Sequence, residues 1–420
     1  MTSSIAAPDH ARVASVSEIR AHFPALERRH RERSVAYFDG PGGTQVPSQV
    51  VEAMSEYLLR HNANTHWRYP SSQETDAMLA GAREAMADLL GASPAEIAFG
   101  ANMTTLTFHL ARGLGRAWDR GDEIVITELD HHANVAPWRA LERERRLTVR
   151  TVPIDPDTGQ LDWGALERAL SGRTRLLAIG AASNAIGTVS DVARAAGLAR
   201  AAGALTFVDA VHYAPHRLVD VRAMGCDFLA CSAYKFYGPH VGVLYGRNDR
   251  LAAVDIPKLE PAPDTAPERV ETGTLNHEGI AGAAAAVDFI AGLAAGTGSR
   301  RERLRAAFAE LDRRGVALAQ RLLDGLNAMR GVRVFGPATA SARTPTVAFT
   351  VDGRHTDQVA DALADEAVFV STGDFYATSV VRRYGLAAQG GLVRAGCAAY
   401  TTADEVDRLL EGVARVARAG

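Results

Sequence analysis

Two hydrophobic rhythms alternate along this chain, and the alternation changes character near Leu251. Short apolar runs predict strands at 97–99, 123–127, 147–152, 175–179, 205–208, 228–231 and 243–245. Between them, apolar residues recur at helical spacing over 104–111, 133–145, 163–170 and 192–202. Strand–helix alternation with nearly continuous apolar strands predicts a mostly parallel sheet covered on both faces. Upstream, 35–39 reads as a short strand ended by the turn Gly40-Pro41-Gly42-Gly43, and a helix follows over 47–60. Ser71 and Glu74 have capping-box spacing before a helix that runs to Leu90.

Beyond Leu251 the chain reads differently. Residues 257–267 are proline-rich and predict a loop. Helices are expected over 279–293, 300–329, 356–366 and 402–416, with strands at 332–335, 346–351, 368–371 and 391–395. This predicts an α/β protein with three parts. Residues 1–34 form a leader that joins the small domain, 35–290 a large domain, and 291–420 a small α+β domain. No internal repeat is visible.

Composition narrows the class. Of 420 residues, 47% are apolar and 23% charged, and the formal charge is −3. The near-neutral balance and the lack of a basic patch argue against a nucleic-acid partner. The start, 1–16, lacks the basic and apolar regions of a secretory signal. The most apolar window, 280–296, is rich in Ala and Gly and contains Asp288, so it predicts a packed helix and no membrane span. Three unpaired cysteines, Cys226, Cys231 and Cys397, fit a reducing, cytoplasmic setting. Cys226 and Cys231 border a strand and read as small core residues.

The candidate chemistry centres on Ser232-Ala233-Tyr234-Lys235-Phe236-Tyr237-Gly238-Pro239, at a strand end. A lysine in apolar surroundings loses proton affinity and becomes an amine nucleophile. Lys235 is therefore expected to carry an aldehyde cofactor as a Schiff base. A lone lysine would read as a surface charge, but Asp209 changes that reading. It ends the preceding parallel strand, where side chains face the ligand crevice. A buried carboxylate needs a cationic partner, and a protonated pyridine nitrogen is one. Asp130-His131-His132-Ala133-Asn134 supplies an imidazole able to stack on a pyridine ring. Neither this pair nor its surroundings has metal-ligand spacing. Asn184, in Ser183-Asn184-Ala185-Ile186-Gly187-Thr188, can donate to a ring oxygen. Asn102-Met103-Thr104-Thr105 opens a helix whose free amides and hydroxyls suit a phosphate.

These segments, with Tyr37-Phe38-Asp39, Val208-Asp209-Ala210-Val211-His212 and Glu271-Thr272-Gly273-Thr274, resemble the class V aminotransferase superfamily. Within those fold type I pyridoxal-phosphate enzymes, the chain is similar to the cysteine desulfurase-like group over about 37–413. The resemblance implies pyridoxal 5′-phosphate, with Lys235 as its anchor, Asp209 as pyridine partner and His131 as stacking ring. It implies Asn184 and His212 on the ring oxygen, the latter where desulfurases carry glutamine. Met103, Thr104 and Ser232 would hold the phosphate, with Tyr234 where desulfurases carry a histidine. Thr274 would reach the phosphate of a neighbouring subunit, which implies a homodimer with shared sites. Arg394 would clamp the carboxylate of an amino-acid substrate.

One segment departs from the group. Where desulfurases carry a nucleophilic cysteine on a mobile loop, this chain has Ser371-Thr372-Gly373-Asp374-Phe375-Tyr376-Ala377. Tyr376 cannot form a persulfide. It is expected to protonate a leaving group or to shape the pocket. The expected reaction is β-elimination or C–S lyase-type chemistry on an amino acid through a Lys235 aldimine. The alternatives are an aminotransferase, an epimerase or a desulfurase with an unusual thiol. The loops 62–72 and 374–384 are expected to line the substrate, and Arg68 offers a second anion contact.

Overall fold

The structure, a computed structural model, describes residues 12–418. A seven-stranded sheet runs in the order Ile97–Gly100, Gly242–Gly246, Phe228–Ser232, Leu205–Asp209, Thr174–Gly180, Glu123–Thr127, Thr148–Val152. Five neighbouring strands are parallel, and Gly242–Gly246 is antiparallel to both of its neighbours. The central strands are buried along nearly their whole length, which is why they read as unbroken apolar runs. In register, Asp209 sits beside Gly180 on one side and Ala230 on the other. The parallel strands thus end along one edge, and the segments carrying His131, Asn184, Asp209 and Lys235 leave the sheet there.

A second, four-stranded sheet has the order Val332–Phe335, Thr346–Val351, Leu392–Gly396, Ser371–Gly373, all antiparallel. The expected strand 368–371 is two strands. Val368–Phe369 pairs in parallel with Ala36–Tyr37, while Ser371–Gly373 joins the second sheet. Ala36 and Phe38 pack in the core of that sheet, with Leu322, Phe349 and Val406. Ile19, Phe23 and Leu26 instead join the cluster that covers one face of the large sheet. Part of the sequence-predicted leader, residues 1–11, lies outside the described residues.

One local expectation is corrected. Ser71 does not cap the helix, because Pro70 occupies its first turn and Tyr69 is the N-cap, without a side-chain bond. Proline pre-sets the helical φ and has no amide to satisfy there, so the helix starts earlier than the capping pattern suggests. Residues 279–293, expected as a packed helix, form His277–Gly292, with Phe289 and Ile290 in the core. Among the described residues no helix is long and apolar enough to cross a membrane.

Candidate active site

At the strand edge lies a cavity of about 860 Å³. Met103, Thr104, His131, Asn184, Asp209, His212, Ser232, Tyr234, Lys235, Tyr376 and Arg394 all line it. These come from seven separate stretches of chain that the sequence reading had singled out. Thr274 does not line it. That residue is exposed and borders a second cavity of about 340 Å³, and Thr105 is common to both linings. Arg68 and the rest of 62–72 are likewise absent from the lining, so the expectation that this loop walls the substrate is corrected for the single chain. The helix Pro70–Leu90 begins within that stretch, and residues 66–70 lie on the outer surface.

Lys235 follows the strand Phe228–Ser232 in a single 3₁₀ turn. Gly238 closes that turn so tightly that a Cβ there would lie 2.9 Å from the Cβ of Ala233. The amine donates to Pro41 O (2.5 Å) and Gly42 O (2.9 Å), in the turn predicted after the first short strand. Its Nζ also lies 4.8 Å from the centroid of Tyr234. Burial, reinforced by Arg394, brings its pKa down to about 7, against the pull of Asp209 and Asp39. Burial pushes Asp209 the other way, to about 6, although Val211 N donates to Oδ1 (2.9 Å) and Lys235 favours the charge. An amine of weakened basicity and a carboxyl of weakened acidity therefore face one cavity. Perturbed pairs of this kind mark functional sites more often than structural ones.

His131 is held as a neutral ring. Ala133 N donates to Nδ1 (3.0 Å), which leaves the proton on Nε2, and burial brings the pKa down to about 4. Beneath it, Asp130 accepts from Thr127 Oγ1 (2.5 Å) and Asn134 Nδ2 (2.8 Å), and Trp138 Nε1 donates to Asn134 Oδ1 (3.0 Å). This buried chain fixes the His131 turn.

Tyr376 packs beside His131, with ring centroids 5.4 Å apart. Phe375 and Tyr376 both adopt left-handed backbone conformations, φ 54° and 56°, which bulky residues rarely do. Neighbouring contacts hold them there. Asn184 Nδ2 donates to Phe375 O (2.8 Å), His132 N to Tyr376 O (2.7 Å), and Tyr376 N to Asp374 Oδ1 (3.0 Å). The segment is pinned at three points. Arg394 is buried beside it, donating through Nη1 to Asn184 O (2.8 Å).

His212 is also buried. Its Nε2 lies 3.0 Å from Thr344 Oγ1 and 3.2 Å from Thr346 Oγ1. The helix Met103–Gly115 points its N-terminus at the cavity, capped by Asn102, and Met103 N donates to Ser232 Oγ (3.0 Å). Sequence reasoning missed Asp39 and His240, and reached Phe375 only as part of the expected loop 374–384. Phe375 and His240 line the cavity. Asp39 is half-buried, and its buried Oδ1 is unpartnered among the described residues. No periodicity marks a single residue after a turn, so only the Tyr37-Phe38-Asp39 segment gave a signal. No cysteine lines the cavity; Cys226, Cys231 and Cys397 are all buried. Burial pushes the first two up to about 12 and raises the third further.

Sheet order and the lysine–aspartate cavity define a fold type I pyridoxal-phosphate enzyme. The chain belongs to the class V aminotransferase family, whose model, described as "Aminotransferase class-V", matches residues 36–409. It is 36% identical to a probable cysteine desulfurase 2 of Mycobacterium leprae, over 95% of this chain and 96% of that protein. Among solved structures it is similar to the apo cysteine desulfurase of Thermococcus onnurineus, with a TM-score of 0.87 and 30% identity over 97% of this chain and 99% of that one. It is also similar to the cysteine desulfurase CsdA of Escherichia coli in S-sulfonic acid form, with a TM-score of 0.84 and 29% identity over 97% and 100%.

The residues present fit pyridoxal phosphate. Asn184 Oδ1, His212 Nδ1 and Arg394 Nε are buried and lack partners among the described residues, and all three side chains line the cavity. Buried polar atoms are seldom left unsatisfied unless a ligand or water completes them.

Proposed function

We propose that this enzyme acts on an α-amino acid by β-elimination of the C–S lyase type, as a homodimer in which Thr274 serves the neighbouring site. The observation that carries this is the pinned segment Asp374-Phe375-Tyr376, which presents a phenol to His131 where a desulfurase would need a swinging thiol. Bound in the cavity, pyridoxal phosphate supplies an electrophilic aldehyde and an electron-withdrawing ring.

The chain's own residues do the rest. Asp209 would keep the ring nitrogen protonated, and the neutral imidazole of His131 would hold the ring in place. Asn184 and His212 would bind the ring oxygen. Arg394 binds the substrate carboxylate through its guanidinium fork. Lys235 takes the proton from the substrate α-carbon, a task its lowered basicity suits. The Cβ–S bond breaks, and Tyr376 gives its phenolic proton to the departing sulfur. Water then completes release of pyruvate and ammonia.

A second reading is sulfur abstraction from cysteine, favoured by the names of the relatives. Product analysis with L-cysteine and its S-substituted forms separates the readings. Pyruvate, ammonia and free thiol in equal amounts support elimination. Alanine with protein-bound sulfur would establish the desulfurase and overturn our reading. A new amino acid made from added keto acid, or an inverted α-centre, would point to transamination or epimerisation. Borohydride reduction should leave the cofactor's mass on the Lys235 peptide, and its failure there would remove the whole scheme.

A further inference from the structure

We propose that His240 is the cofactor-phosphate ligand that this chain uses in place of a donor at position 234. The inference rests on the pyridoxal-phosphate reading of the cavity. His240 lines that cavity with Asn102, Thr104, Thr105 and Ser232. Its ring stacks on Tyr234, with centroids 4.8 Å apart and planes only 16° from parallel. Tyr234 in turn lies over the amine of Lys235. The phenol ring thus touches both the imidazole and the anchoring amine.

The backbone fixes this arrangement. Val241 N donates to Pro239 O (2.9 Å), so His240 sits at the centre of a three-residue turn. Two residues on, Gly242 packs on the start of the helix Met103–Gly115, where a Cβ would lie 2.5 Å from the Asn102 carbonyl carbon. His240 is therefore carried to the helix N-terminus that attracts an anion.

Charge counting selects it. Lys235 and Arg394 are the only lysine and arginine among the lining residues. The former is committed to the aldehyde, and the latter is bonded to Asn184 beside Phe375. At the helix start, the Met103 amide already donates to Ser232. A phosphate there needs a further donor, and two exposed imidazoles line the cavity, His132 and His240. His132 belongs to the turn whose amide holds Tyr376 O, whereas His240 stands two residues before Gly242, which packs on the helix start. An imidazole ring supplies that donor whether neutral or protonated.

The test uses apoenzyme and equilibrium dialysis, with pyridoxal 5′-phosphate and pyridoxal as paired probes. His240→Phe keeps an aromatic ring against Tyr234 but has no donor, and should weaken pyridoxal phosphate by about tenfold or more, the scale of one hydrogen bond to a charged group. Its affinity for pyridoxal, which lacks the phosphate, should change by less than about twofold. Tyr234→Phe keeps the stack and removes the phenol, and should cost pyridoxal phosphate less affinity than His240→Phe does. Equal loss of both probes in His240→Phe would show a general packing role and overturn the proposal. So would a larger loss of phosphate affinity in Tyr234→Phe than in His240→Phe. If the unaltered chain bound neither probe, the cofactor reading itself would fall, and this inference with it.

Discussion

The guanidinium of Arg394 lies over the ring of Phe375, its Cζ 3.9 Å from the ring centroid. Burial brings the arginine's pKa down to about 9, opposed only by Asp39. Nη1 is bonded to Asn184, and Nε has no partner among the described residues. A desolvated cation with one aromatic neighbour and an unused donor favours an incoming carboxylate. Arg394→Lys keeps a charge but loses the planar fork. It should raise KM for α-amino acids by about tenfold or more, the scale of one charge-assisted bond, with a smaller change in kcat. Amines without a carboxylate should be turned over equally by both forms. Equal loss on both substrate types would refute the clamp.

Lys235 makes a second expectation concrete. A free lysine is mostly protonated until pH is near its ordinary value, about 10.4. The burial that brings Lys235 down to about 7 makes the neutral amine available far earlier. Capture of pyridoxal phosphate by the apoenzyme should therefore accelerate with pH up to about 7 and then level. A lysine-containing peptide should keep accelerating well beyond that. Stopped-flow absorbance against pH distinguishes the two curves, and a peptide-like profile for the enzyme would contradict the burial argument.

Much of the large sheet was legible because its strands are buried on both faces and bounded by helical spacing. The run 123–127 coincides with the strand in the structure, and 205–208 falls one residue short, at Asp209. The small domain was legible more coarsely. Its short pieces, such as Ser371–Gly373, owe their form to pairing with Leu392–Gly396 rather than to local pattern. The same holds for the site. Lys235 and Asp209 could be found because each closes an apolar strand. Phe375 lies in an irregular loop and Asp39 in an isolated bridge to Gly396, and both reach the site only through tertiary packing. The unusual backbone at Phe375 and Tyr376 has no local signal either, since neither residue favours it.

His212 links the site to acid stability. Burial, aided by His216, Arg394 and Lys235, puts its pKa well below the ordinary value of 6.5. The folded state keeps the ring neutral while the unfolded chain takes up a proton. Its contribution is therefore full above about pH 6.5 and is lost as pH falls through the acid range. His212→Gln has no proton to gain in the unfolded state. Its melting temperature should fall less steeply than the parent's between about pH 6.5 and 5, with apoenzyme used for both. Other buried groups titrate in the same range, so the difference between the two slopes is the quantity to measure. Parallel slopes would mean that His212 is protonated in the folded state.

The pinned loop gives the sharpest separation of chemistry from packing. Tyr376→Phe removes only the phenolic oxygen, and the backbone bonds from Asn184, His132 and Tyr376 itself remain available. If the phenol protonates the departing sulfur, kcat should fall by about 10²-fold or more for poor leaving groups such as alkyl thiols, the range of general acid catalysis. For a leaving group that departs as an anion without help, the loss should be small. Asp374→Ala attacks the other function, because Asp374 accepts from both Tyr376 N and Thr378 Oγ1 (3.0 Å each). Freed of that clamp, residues 374–377 should exchange their amide hydrogens faster and be cut sooner by protease. Activity should fall for every leaving group alike. A Tyr376→Phe enzyme with unchanged turnover of alkyl-thiol substrates would leave Tyr376 a wall of the pocket and nothing more.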